Sequence, residues 1–209
     1  PLLRLARRHA TTVLSAEERE LVSLLGLGAE AMTSLRELGH IPLPLRIEGE
    51  PGTGKEQVAR FVHRLSTPEA PFVVLRAGEQ PELSSESPGT IYLEGLHRHT
   101  DIVALLQLSL ARGWRVIGSS RRRHEPEREG MAWTHIRLRP LRERPKDLRP
   151  LTRLYLPLSP NRLGLPSPPI HTSLCNHLEV HSWPVNLREH ERFLVQPATS
   201  AHGNALSPT

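Results

Sequence analysis

One segment constrains this chain more than any other: Gly49-Glu50-Pro51-Gly52-Thr53-Gly54-Lys55-Glu56. It fits the pattern G-x-x-x-x-G-K and sits between an apolar strand candidate over 44–48 and a helix pattern over 55–65, the context that gives the pattern meaning. Glycines let the backbone curl until its N–H groups face phosphate oxygens. The helix that opens at Lys55 adds the positive end of its dipole. Lys55 then reaches the outer phosphates as a point charge. Only two lysines, Lys55 and Lys146, occur among 27 basic residues, and one of them falls where a phosphate loop requires lysine. The bland alternative, an ordinary glycine-rich turn, leaves the flanking strand and helix patterns unaccounted for.

The rest of the chain keeps up the alternation. Strand candidates lie at 71–75, 90–93, 114–117 and 136–138, with a helix at 100–112 and a serine- and proline-bearing loop at 76–88. An earlier helix reads over 15–39, opened by the capping-box pair Ser15 and Glu18 and closed by Gly39. Strands alternating with helices imply a parallel sheet with right-handed crossovers. Beyond Leu141 helices over 144–155 and 170–181 flank a proline-rich stretch, which marks a small helical subdomain. The expected organisation is an N-terminal segment 1–14, an α/β core 15–142, a helical lid 143–195 and a disordered tail 196–209.

Composition excludes several classes. The single cysteine, Cys175, cannot form an intramolecular disulfide. No apolar run approaches the ~18 residues of a membrane span, so the expected setting is soluble and cytoplasmic. A formal net charge of +5 over 209 residues permits an anionic partner and says little more.

Four ordered motifs carry a family resemblance: I-E-G-E-P-G-T-G-K-E-Q-V-A-R-F-V-H-R-L-S at 47–66, G-T-I-Y-L-E-G-L at 89–96, L-R-P-L-R-E-R with Asp147-Leu148 from 138, and W-P-V-N-L-R-E at 183–189. They resemble the AAA+ ATPase domain of bacterial sigma-54-dependent, NtrC-type transcriptional activators, and the likeness runs over about residues 20–195. That family carries glutamate after the loop lysine, so Glu56 supports the match. The resemblance implies a P-loop AAA+ core with a parallel sheet flanked by helices, a helical lid, and ATP with Mg²⁺ as ligands. It also implies that Gly49 to Glu56 bind phosphate and that Glu94 supports Mg²⁺. Ser120 would approach the γ-phosphate, and Arg188 would contact nucleotide from the lid.

The departures concern chemistry. Glu94 stands where the family has aspartate. Gly95 replaces the glutamate that polarises the attacking water, and general-base assistance is worth ~10²–10⁴-fold. Arg76 replaces the asparagine that holds that glutamate at rest. Between Leu83 and Pro88 the family carries a further segment with its G-A-F-T-G-A loop, which touches sigma-54; here it is missing. At the sensor strand V-I-G-S-S-R replaces V-I-A-A-T-N, so Arg121 changes the local charge. In the arginine-finger segment only Arg128 is a candidate, out of register, and loss of a finger costs ~10³–10⁵-fold. Val185 replaces a turn glycine, a poor exchange if that position needs positive φ.

The expected function is therefore an ATP-binding AAA+ domain of transcription regulation with weak or no hydrolysis and no direct sigma-54 contact. No catalytic residue is assigned beyond Glu94 as a candidate. The alternative is a non-catalytic interaction module that pairs with intact AAA+ relatives without nucleotide. Expected partners are ATP and a homo- or hetero-oligomer of AAA+ subunits, with DNA reached only through a further domain and no membrane contact. A metal site at His171, Cys175, His177 and His181 is disfavoured because no second cysteine pair completes a ligand set. The arginines at 121–123 and from Arg137 to Arg153 invite nucleic acid, but Glu143 and Asp147 interrupt the series, and a solvated or docking face fits it better.

Overall fold

Five parallel strands organise the computed structural model, which describes residues 29–41, 43–121, 132–153, 155 and 178–200. They are β1 (Leu45–Glu48), β2 (Phe72–Leu75), β3 (Thr90–Leu93), β4 (Arg115–Ser120) and β5 (Thr134–Arg137), in the spatial order β2-β3-β4-β1-β5. Around them lie the helices α1 (Ala29–His40), α2 (Lys55–Ser66), α3 (Ile102–Ala111) and α4 (Asn186–Ser200). Every expected strand is present. β4 runs on to Ser120, which brings that residue to the carboxyl edge of the sheet, in register with Glu48.

β1 and β3 are buried at every position because both faces of the sheet are covered there, and in β1 that burial takes in the polar Arg46 and Glu48. α2 presents Val58, Ala59, Phe61 and Val62 to one face, where they join Leu45, Ile47 and Ile117 in a core that continues into the lid through Leu148, Leu151, Trp183, Leu187 and Leu194. The opposite face holds Leu75, Ile91, Leu93, Leu106, Trp114 and Trp133. His63 is the polar intruder on α2. Its Nδ1 lies 2.9 Å from the Thr90 hydroxyl and its ring packs on Phe72, so its polarity is satisfied inside the core.

β2 and β3 are parallel neighbours, and such a pair needs a crossover, commonly a helix. Residues 76–89 make that crossing here without a helix or strand. Leu83 is buried, the Trp114 indole donates to the Ser84 carbonyl at 2.7 Å, and Arg112 donates to the Leu83 carbonyl. This pinned coil occupies the place where the family's additional segment was expected to be missing.

Two expectations in the lid need correction. The helix expected from 144 begins at 148, after 3₁₀ turns at Leu141–Glu143 and Pro145–Asp147, because the residue before a proline is pushed out of the helical region, and Arg144 lies at φ −139 and ψ 54. The tail expected to be disordered from 196 is helical as far as Ser200, as a continuation of α4, which buried Leu187, His190 and Leu194 anchor; Pro197 leaves this last stretch one hydrogen bond short. The capping box at Ser15, the proline-rich stretch, most of the helix expected over 170–181 and residues 201–209 lie outside the described residues. Among the described residues no helix is long and apolar enough to cross a membrane.

Candidate nucleotide-binding site

In this sheet β1 lies between β4 and β5, and the loops leaving the carboxyl ends of β1, β3 and β4 open on one edge, the usual place for a ligand in an open parallel sheet. They surround a cleft of about 500 Å³. The loop contributes Pro51, Gly52, Gly54, Lys55 and Glu56; β3 contributes Tyr92, Glu94 and Gly95; β4 contributes Ser119, Ser120 and Arg121; the lid contributes Tyr155, Leu187 and Arg188. Eight of the expected site residues thus meet in one cavity. Gly49, Glu50 and Thr53 do not line it.

Those three shape the loop. Gly49 donates its N–H to the Ser120 carbonyl at 3.1 Å, tying the loop to the sensor strand. Thr53 is fully buried and its hydroxyl donates to the Glu50 carbonyl at 2.9 Å. Gly54 has φ 95, a left-handed conformation that glycine takes without steric cost, and it releases the first turn of α2 toward the cleft. Lys55 curls over its own loop, with Nζ donating to the Gly49 and Glu50 carbonyls at 2.7 Å each. Burial, then the charge of Arg121, lower the Lys55 pKa to about 8; Glu94 opposes the shift and Arg188 adds to it.

Glu50 faces the lid. Arg142 grips both its oxygens, one at 2.6 Å, and this holds the carboxyl below its ordinary range against the opposing effect of burial. Asn186 completes the junction. Its side-chain N–H donates to the Pro51 carbonyl at 3.0 Å, and its side-chain oxygen accepts from the Leu141 N–H at 2.8 Å. The Leu187 N–H donates to the Gly52 carbonyl at 3.0 Å. Gly52 has φ +76, and a Cβ there would run into the Val185 carbonyl. The left-handed residues of this turn are Trp183 and Asn186 at φ 49 and 54. Val185 is not among them, so the expected conflict at that position does not arise, and asparagine tolerates the conformation better than most residues.

The acidic strand end differs most from expectation. The Glu94 carboxylate lies 3.4 Å from Nε of Arg76, so the residue that replaced asparagine holds the neighbouring glutamate instead. Gly95 has φ 72, its N–H donates to the Ser119 hydroxyl at 2.9 Å, and a Cβ there would press on the Arg98 side chain. Ser120 is buried beside Arg46, whose Nε lies 3.4 Å from its hydroxyl. Sequence reasoning missed Tyr92, Arg98, Ser119 and Tyr155 as lining residues. For Arg98 a signal existed, since it follows Gly95 by one short turn. Tyr155 carried none, because the lid's fold alone brings it to the cleft. Arg128 and three of the four residues weighed for metal lie outside the described residues. Among the described residues no cluster of His, Cys, Asp and Glu could hold a metal ion.

Residues 27–93 match the Sigma-54 interaction domain. The match stops one residue before Glu94. The HTH-type transcriptional regulatory protein TyrR of Enterobacter agglomerans is 24% identical over 86% of this chain and 44% of its own length. The sigma-54-dependent transcriptional regulator SfnR of Pseudomonas fluorescens is 25% identical over 78% of this chain and 58% of its own. The chain therefore spans about half the length of these relatives. NtrX of Brucella abortus, solved in complex with ADP, superposes with a TM-score of 0.72 at 20% identity, over 90% of this chain and 53% of that one. An ATP complex of NtrX gives 0.68 at 18% identity, over 97% and 55%. The resemblance to sigma-54-dependent regulators is thus shown, and the fold is that of a P-loop AAA+ core.

Proposed function

We propose that this cleft binds ATP and hydrolyses it weakly or not at all, as the nucleotide-responsive module of a bacterial transcription regulator. The observation that carries the reading is the convergence of Lys55, Arg121 and Arg188 on the phosphate loop, with neither arginine partnered by a described residue. Such a donor set fits a polyphosphate. ATP supplies an anionic chain, toward which this protein offers the loop N–H groups and the opening turn of α2. Lys55 exchanges its two loop carbonyls for phosphate oxygens, and Arg188 reaches in from the lid. Glu94 supports Mg²⁺ once freed from Arg76. With Gly95 no carboxylate follows to take the proton of an attacking water, which argues for slow hydrolysis. By the same reading the chain assembles with AAA+ subunits of its own or another kind. The short coil over 76–89 supports a reading without direct sigma-54 contact.

Titration calorimetry and thermal melting with ATP test this on the whole chain. ATP at 100 times its Kd raises stability by about 2.7 kcal/mol. Lys55→Ala weakens binding by about tenfold to a hundredfold. Steady ATP turnover that disappears in Lys55→Ala would overturn weak hydrolysis. A second reading, an interaction module without nucleotide, draws on the Lys55 ammonium being already satisfied by its own loop. It predicts no nucleotide-dependent shift in melting.

A further inference from the structure

Acids and bases in this cleft are not evenly matched. Of the three lining carboxylates, Glu56 is paired with Arg60 at 2.7 Å, Glu94 with Arg76 at 3.4 Å, and Glu191 is engaged as well. Among the lining cations, Arg98, Arg121 and Arg188 make no hydrogen bond or ion pair to a described residue. Arg121 is the best placed of them. It follows Ser120 directly at the end of β4, and Ser120 is the register partner of Glu48, the residue from which the phosphate loop departs. Arg121 is exposed, borders the same cavity as Lys55, and perturbs the lysine more than Arg188 does.

We propose that Arg121 is an in-chain ligand for the outermost phosphate of a nucleoside triphosphate, and that its charge frees triphosphate binding from dependence on a divalent cation. This rests on the nucleotide-binding reading above and extends it. A guanidinium presents a planar fork that matches two oxygens of a terminal phosphate, which neither a lysine nor an asparagine can do. The metal side of the cleft is correspondingly thin. Glu56 stands where a phosphate loop usually places a hydroxyl for Mg²⁺, and Glu94 must first leave Arg76. Charge that a metal ion neutralises elsewhere is met here by arginine. As a ligand of the outermost phosphate alone, Arg121 contributes to triphosphate binding and not to diphosphate binding.

The test is calorimetric binding of ATP and of ADP, each with Mg²⁺ and with EDTA, to wild type, Arg121→Asn and Arg121→Lys. Wild type keeps its ATP affinity within about threefold when EDTA replaces Mg²⁺. In EDTA, Arg121→Asn loses about tenfold to a hundredfold toward ATP and less than about threefold toward ADP, and Arg121→Lys falls between. Equal losses toward both nucleotides, no loss toward either, or collapse of wild-type ATP binding in EDTA each overturns the role of Arg121 while leaving nucleotide binding intact. Wild type that binds neither nucleotide under either condition overturns the nucleotide reading itself, and this inference with it. The exposed position of Arg121 means that melting curves without ligand stay unchanged, which separates ligand loss from unfolding.

Discussion

The two sides of the cleft have fared differently. The loop side is built from backbone: carbonyls and N–H groups of Gly49 to Gly54, glycines at φ 76 and 95, and a lid turn that hydrogen-bonds to Pro51 and Gly52. The far side is built from side chains at the ends of β2, β3 and β4, where Gly95 stands at the position that holds glutamate in the family it resembles, and arginine occupies 76 and 121. A backbone device fails as a whole if one residue changes, because neighbouring segments are packed against it. A side-chain device can be exchanged group by group and leave the fold standing. On the proposed reading, binding chemistry sits on the first kind of support and hydrolytic chemistry on the second.

If so, substitutions on the loop side cost most. Gly52→Ala places a Cβ against the Val185 carbonyl on a left-handed backbone and destabilises the protein by about 4 kcal/mol. In thermal unfolding the lid releases first and ATP binding goes with it.

Next in size is a pH effect in the lid. His190 is fully buried between Trp183 and Tyr155, its Nε2 3.1 Å from the Thr152 hydroxyl, and burial with the charge of Arg144 lowers its pKa to about 4. Unfolding restores a value near 6.5, so the unfolded chain takes up the proton first. The contribution is complete above about pH 6.5 and is lost as pH falls from there to about 4, amounting to about 3 kcal/mol. Melting curves between pH 7.5 and 4 measure it. His190→Gln flattens that part of the profile.

On the far side the effects are smaller. Gly95→Glu puts a side chain on φ 72 and against Arg98, costs about 1–3 kcal/mol, and fails to bring back ATP turnover. Turnover restored to that variant would break the comparison. Arg76→Ala is the mildest. The pair with Glu94 is half exposed and worth under about 1 kcal/mol, so melting hardly moves, while freed Glu94 makes ATP binding more responsive to Mg²⁺. No change in the Mg²⁺ response would place Glu94 outside metal support.

Legibility follows the same division. The phosphate loop, all five strands and the lid motif could be read in order, because each is a local pattern of glycine, alternation or spacing. The pairing of Glu50 with Arg142, 92 residues away, leaves no local trace and emerges only when the lid folds back on the loop. Arg76 was legible as a lost asparagine but not as a partner for Glu94, because side-chain reach across two strand ends is set by sheet order. Val185 looked like a conflict only because a glycine in a motif does not say whether its freedom is used. The start of the lid helix was misplaced through neglect of Pro145, whose ring was visible all along.

The left-handed turn at Gly95 bears on what can be substituted there. On an ordinary backbone a carboxylate could be supplied by a single exchange. Here the chain beyond β3 has settled into a conformation that only glycine holds comfortably, with its amide committed to Ser119 and Arg98 folded alongside. A glutamate placed here meets the left-handed turn first and the flexible Arg98 side chain second, so the cost of the exchange lies in the backbone more than in the space around it.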